Sequence, residues 1–484
     1  MKYPGPLHAP RLAWMACLCA LVLSGCSVGP TYEKPAMELP TAYSELPGWT
    51  RASPNADGPK GAWWQDFHDP LLDTLLPQVQ FSNQNVLAAY ANYQKAAAAI
   101  QAARAALFPT LGINGSATRQ RSSTAGVSTG AVTSKSVEAA VSWSPDLWGQ
   151  VRDSVKENQA LAQVSAATLA NTTLSAQIAL ATAMVELRVA DENARLLQQT
   201  VDSYRHSLRV VSDQSAAGTV APSSLYAARN LLETTQASLV AVGIARAQYA
   251  HAIAVLVGKT PEALPIPGST LMPQLPSVPV GLPSTLLQRR PDIAAAERQM
   301  AADNAAIGVA QTAFFPSLTL SAAGGFAGAL NASNLVWSLG AAFAETIFDG
   351  GARSAQLSSA RAQYASSVAS YRGTVLAALQ DVENDLSALR ILEQQYQVLE
   401  AAVQDASQST RIAQDEFQAG TVDYTTLASA QAAQISSQQS LLNVRLQQLV
   451  NTVTLIGDLG GGFDAQALNT APQPPHDGAG AQPD

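Results

Sequence analysis

Apolar positions recur along this chain with two different periods, and each period marks out its own stretches. From Gln150 to Ala217 the chain has neither proline nor glycine, and from Ala352 to Ala419 it has only Gly373. Proline inside a helix costs about 3 kcal/mol, so its absence permits unbroken helices of about 100 Å at 1.5 Å per residue. In the second stretch Val375, Leu379, Val382, Leu386 and Leu389 step by four and three, and Leu392, Tyr396, Leu399 and Val403 resume after one short step. This is a heptad seam, the pattern of helices laid against one another. Many of the flanking positions are small or weakly polar (Ala, Ser and Gln), which suits packing on more than one side.

Elsewhere the period falls to two. Val137, Ala139, Val141 and Trp143 alternate with Ser136, Glu138, Ala140, Ser142 and Ser144, and Thr110–Arg121 alternates more weakly, led by Leu111 and Ile113. Leu318 and Leu320 follow Pro316, and Trp337, Leu339, Ala341 and Phe343 alternate with small residues. The spacing predicts hairpins over 110–146 and 316–348. Period alone fits either a soluble hairpin with one packed face or membrane strands of about 9–11 residues.

These elements recur in order. Phe108-Pro109 and Phe315-Pro316 open the hairpins, Asp146-Leu147-Trp148-Gly149 and Ile347-Phe348-Asp349-Gly350-Gly351 close them, and Ala217-Gly218-Thr219-Val220 and Ala419-Gly420-Thr421-Val422 end the long helices. Second helices follow over 222–257 and 424–456. The chain is thus two copies of helix, hairpin, long helix, tight turn and return helix, over 68–258 and 284–460. A proline-rich linker (259–283) joins them, an extended segment (26–67) precedes them, and a tail (461–484) with a disordered composition follows. Two hairpins give four strands, too few to close a barrel, and open edges are not tolerated in lipid. Strands embedded in a membrane would therefore need further copies; three would give 12 strands, with the long helices closing a second tube.

Composition sharpens this. Of 484 residues 47% are hydrophobic and only 13% charged, about half the usual charged share. The net charge of −8 argues against a nucleic-acid partner. The longest apolar run, Leu12–Leu23, is short of the 18 or so residues a spanning helix needs, and no such stretch is expected elsewhere. Residues 1–25 read as a signal peptide: Lys2 and Arg11, then the apolar run, then Ser24-Gly25. Leu23-Ser24-Gly25-Cys26 resembles a bacterial lipobox, which makes Cys26 the acylated residue and the covalent lipid the only attached group expected. Cys17 and Cys19 leave with the leader, which also takes the net charge from −8 to −10.

Several motifs together resemble the TolC-like outer-membrane efflux proteins, specifically the lipoprotein branch of OprM and NodT type. They are Gly29-Pro30-Thr31-Tyr32; Trp63-Trp64-Gln65-Asp66-Phe67-His68-Asp69-Pro70-Leu71-Leu72; Asp146-Leu147-Trp148-Gly149; Arg289-Arg290-Pro291-Asp292-Ile293 with Ala296-Glu297; Asn304; Ile307-Gly308; and Phe314-Phe315-Pro316-Ser317-Leu318. The resemblance spans about Cys26 to Gly460. It implies an α+β chain, mostly α: a homotrimer with a 12-stranded antiparallel β-barrel in outer-membrane lipid and a long periplasmic α-helical barrel. It also implies docking to a periplasmic adaptor and to an inner-membrane pump of the resistance-nodulation-division class. The adaptor contact is then expected at Gly218, Thr219, Val220, Gly420, Thr421 and Val422. Asp213, Asp415, Glu416 and Asp423 are candidates to ring the aperture. Relatives carry aspartates a few residues after the second turn, where this chain has Thr425, Thr426 and Ser429, so that network does not transfer.

No catalytic signature is visible: the five histidines are scattered and no nucleophile elbow, phosphate loop or dinucleotide fingerprint occurs. Three roles fit: an efflux duct, the outer-membrane partner of a type I protein-secretion system, and a periplasmic coiled-coil lipoprotein without a channel. The lipobox and the Gly-Pro-Thr-Tyr start favour the first.

Overall fold

A computed structural model of the chain describes residues 28–45, 62–121, 123–124, 127–128, 130–278, 283–327 and 335–472. The first repeat contains α1 (Pro70–Leu75), α2 (Gln84–Ala105), β1 (Thr110–Gln120), β2 (Val132–Trp143), α3 (Gln150–Ala216) and α4 (Pro222–Leu256). The second contains α5 (Pro291–Thr312), β3 (Ser317–Ala327), β4 (Leu335–Ala344), α6 (Ala352–Gln418) and α7 (Tyr424–Asp458). Lengths repeat to the residue: 22 for α2 and α5, 67 for α3 and α6, 35 for α4 and α7. The repeat extends to single hydrogen bonds. Asn83, just before α2, donates from Nδ2 to the Leu256 carbonyl at 2.9 Å, and Arg290, just before α5, donates from Nη1 to the Asp458 carbonyl at 3.2 Å.

The chain divides into two compact units, and α3 and α6 contribute to both. One unit, residues 1–36, 92–165 and 295–372, holds the sheet. Its four strands lie in the order β1-β2-β3-β4, all antiparallel, so the two hairpins also pair with each other through β2 and β3. Directly opposed residues share a face. Ile113, Ala139, Gly324 and Trp337 form one row, and Leu111, Val141, Ala322 and Leu339 the next. That face is apolar, whereas the other carries Asn114, Ser136, Glu138, Ser142, Thr319 and Ser321. Nothing among the described residues covers the apolar face: Ile113 is 76% exposed and Trp337 74%.

The other unit, residues 37–91, 166–294 and 373–484, is helical with its own core. The seam predicted on α6 is buried at Val375, Val382, Leu386, Leu389 and Leu392. Asp69 caps α1 by accepting from the Leu71 amide at 2.9 Å, and Arg188 of α3 donates to the same carboxylate from Nε at 2.7 Å and Nη2 at 3.1 Å. The proline-rich linker packs rather than hangs: Arg246 of α4 donates to the Ile266 carbonyl, and the Ser269 amide to Asp191 of α3.

Two expectations change. α4 is long and apolar enough to cross a membrane by length and composition. No uninterrupted apolar run announces it, because Gly243, Arg246, Gln248 and His251 interrupt its alanine-rich pattern. Arg246 ties this helix to α3 through Asp191 at 2.6 Å, making it part of the helical unit. The second change is in the tail. Residues 465–469 form a 3-10 turn capped by Asp464, so the disordered composition does not extend over 461–472, while 473–484 lie outside the described residues.

Candidate functional site

The turns that end the two long helices are built alike, atom by atom. Gly218 and Gly420 have φ of +75° and +74°, the left-handed conformation that only glycine adopts without strain. The Gly218 amide donates to the Ser215 carbonyl at 3.1 Å and the Thr219 amide to Gln214 at 2.9 Å; Gly420 donates to Phe417 at 3.1 Å and Thr421 to Glu416 at 3.0 Å. This paired 5→2 and 6→1 arrangement satisfies carbonyls that a helix end otherwise leaves bare. The hydroxyls of Thr219 and Thr421 add a second donor to those same Gln214 and Glu416 carbonyls. Gly218, Thr219, Gly420 and Thr421 are exposed, whereas Val220 and Val422 are half-buried.

Both valines pack on one cluster: Val211, Ala228, Ala413, Phe417, Tyr424 and Leu427. The two turns therefore share a core and sit together at one end of the helical unit. Phe417 meets Tyr424 edge-on with centroids 5.7 Å apart. Neither aromatic stood out in the sequence, although they flank the second turn directly.

The return helices start differently. Pro222 opens α4, where its missing amide costs nothing, after an uncapped Ala221. Asp423 caps α7, accepting from the Thr426 amide at 3.0 Å and from the Thr425 and Thr426 hydroxyls at 2.7 and 3.1 Å. These bonds, Thr425 first, hold its carboxyl below the usual range. Asp423 thus has a local structural partner. Asp213, Asp415 and Glu416 are exposed in the last turns of α3 and α6, where the helix dipole disfavours negative charge, so no local helix stability accounts for them.

In the sheet-bearing unit a second group of motif residues converges on the chain that follows Cys26. Cys26 itself lies outside the described residues. The Val28 amide donates to the Trp148 carbonyl at 3.3 Å, Asn304 donates to the Pro30 carbonyl at 2.9 Å, and the Tyr32 hydroxyl donates to Glu297 at 2.5 Å. Gly29 crosses Gly308 so closely that a Cβ on Gly308 would lie 2.5 Å from an Asp153 carboxylate oxygen and 3.1 Å from the Gly29 Cα. Trp148 in turn donates from Nε1 to the Pro316 carbonyl at 2.7 Å and stacks on Phe315 at 4.9 Å, directly before β3. The Gly-Pro-Thr-Tyr, Glu297, Asn304 and Gly308 motifs are one clamp.

The Arg-Pro-Asp motif serves the helical unit. Arg290 pairs with Asp292 at 2.8 Å and Asp458 at 3.1 Å, with Asp381 at 3.8 Å. Asp385 joins the group through Asp458, and its carboxyl is pushed up to about 8 by burial first and by the Asp458 charge second. Trp63 is buried against Phe67 and edge-on to Trp64, which accounts for that pair as packing. No group of three or more His, Cys, Asp or Glu that could hold a metal occurs among the described residues.

Comparison with known proteins gives one consistent result. The family model described as "Outer membrane efflux protein" matches residues 75–259 and 282–461, a separate segment for each repeat. The toluene efflux pump outer membrane protein TtgC of Pseudomonas putida is 31% identical over 467 residues, covering 92% of this chain and 95% of that one. Nodulation protein T of Rhizobium leguminosarum bv. trifolii is 30% identical over 438 residues, covering 87% and 91%. Among solved structures, the outer-membrane channel OprN superposes with a TM-score of 0.83 at 27% identity, covering 90% of this chain and 99% of that one.

Proposed function

This chain belongs to the outer membrane efflux protein family, and we propose that it works as a homotrimer whose three sheets close one 12-stranded barrel. It is an outer-membrane efflux channel, a transport protein that extends into the periplasm. The observation that carries the trimer is the sheet itself: four strands with open edges at β1 and β4 and an apolar face that nothing among the described residues covers. Closure with two further copies removes every edge, turns the apolar rows to lipid and lines the bore with Ser, Thr, Asn and Gly.

On the same reading Cys26 carries the lipid. The clamp on residues 28–32 supports this, because it fixes the chain two residues after Cys26 beside Trp148 and the start of β3. The exposed turns at Gly218-Thr219 and Gly420-Thr421 meet a periplasmic adaptor, which links the duct to an inner-membrane pump of the resistance-nodulation-division class. α3 is 67 residues long, about 100 Å, which is reach enough for such a partner. Asp213, Asp415 and Glu416 ring the aperture at that end. The cargo is a small toxic organic compound, the class that toluene represents for TtgC; the names of the relatives support efflux over protein secretion.

Purified protein added to a planar lipid bilayer tests the duct directly. Discrete, long-lived conductance steps are expected. Bilayers that stay silent at protein levels giving full membrane insertion would contradict it.

A further inference from the structure

Five apolar rows step along one face of the sheet, from Leu318–Phe343 at the end nearest the helices to Gly115–Val137–Phe326–Leu335. At two residues per row and about 3.3 Å per residue they cover about 26 Å of strand, or about 20 Å of depth at a tilt near 40°. The next two rows on the same face are Ala117–Lys135 and Arg119–Thr133. They lie toward the β1–β2 connection, the end away from α2 and α3. Arg119 and Lys135 are both exposed and are diagonal neighbours across the β1–β2 ladder, about 7–8 Å apart. The only acidic residue in the four strands, Glu138, pairs with Asn114 and points to the opposite face.

A cation on the lipid face of a barrel is tolerated least at the bilayer midplane and best at the interface. Two cations placed immediately beyond the last apolar row, with no carboxylate on that face, are positioned at headgroup level. There an arginine fork and a lysine ammonium can grip one phosphate together. We propose that Arg119 and Lys135 form a binding site for the phosphate-bearing headgroup of an outer-leaflet lipid. The site rests on the reading that the apolar face meets lipid, and a trimer would carry three copies. Continuity with the apolar rows selects a lipid over a free anion, since acyl chains below the phosphate would lie along Ala117 and Val137.

The test is native mass spectrometry of the full-length protein taken from mixed bilayers of dioleoyl phosphatidic acid and dioleoyl phosphatidylcholine. Wild type is expected to retain the phosphatidic acid preferentially. Arg119→Gln combined with Lys135→Gln is expected to lower that retention about tenfold or more while leaving membrane insertion intact. Arg119→Lys combined with Lys135→Arg keeps both charges and is expected to retain the lipid, which separates loss of the site from loss of the fold. Equal retention by the double-Gln variant, equal retention of the two lipids by wild type, or displacement of the bound lipid by millimolar inorganic phosphate would overturn the site. Wild-type protein that fails to enter bilayers would instead overturn the lipid-facing sheet.

Discussion

The two repeats share a backbone plan but place different chemistry at equivalent positions. Arg188 and Arg390 occupy matching places on α3 and α6. Arg188 grips Asp69 with both side chains buried, while Arg390 reaches Glu45 at 2.6 Å with side chains 38% and 34% exposed. Asn83 makes a neutral bond where Arg290 sits among four aspartates. Ser215 and Pro222 flank the first turn where Phe417 and Tyr424 flank the second. Each repeat thus supplies what the other lacks. The first carries the buried ion pair, and the second carries the charged junction and the aromatic core on which both turns rest. A duplicated scaffold leaves geometry in common and lets energetic roles diverge.

The largest expected difference comes from the arginines. Asp69→Ala strands a buried guanidinium and should cost about 3–5 kcal/mol, whereas Glu45→Ala should cost no more than about 1 kcal/mol. Urea unfolding followed by tryptophan fluorescence would measure both, and equal losses would remove the contrast.

Next is the Arg290 junction, which has no acidic counterpart in the first repeat: Asp381 and Asp385 match Ala179 and Ala183. Burial and the Asp458 charge raise the Asp385 carboxyl from 3.8 to about 8. The folded protein then holds a proton that the unfolded chain has lost. That contribution to stability is fully present below about pH 4 and is lost as pH rises through about 8. The thermal midpoint should therefore fall between pH 6 and pH 9, and Asp385→Asn should flatten the slope. A variant with an unchanged slope would assign it elsewhere.

The turns separate the repeats by smaller amounts. Phe417→Ala should cost about 3 kcal/mol, and Ser215→Ala close to nothing, read as amide-exchange protection at Thr219 and Thr421. Loss at Thr421 alone would show that the shared core does not couple the turns. Asp423→Ala removes a cap worth about 1 kcal/mol. Ala221→Asp should give part of that to the first repeat, detectable as slower exchange in the first turn of α4.

Much of this was legible in sequence because it is periodic or punctuated. The long helices end at Ala216 and Gln418, as the glycines predict, and the strands fall inside the two alternating segments. Contacts between distant segments leave no such trace. Nothing local indicates that Gly29 crosses Gly308, that β2 pairs with β3, or that Asp385 meets Asp458. Phe417 and Tyr424 were visible as residues, but only the shared cluster shows that they support both turns. The apolar window of α4 escaped because alanine carries it without forming a continuous run.

The duct depends on three sheets closing one barrel. Native mass spectrometry of wild-type protein extracted in mild detergent tests it most directly. A dominant species of three chains is expected, while a protein that remains a single chain and still conducts would rule out closure by three sheets.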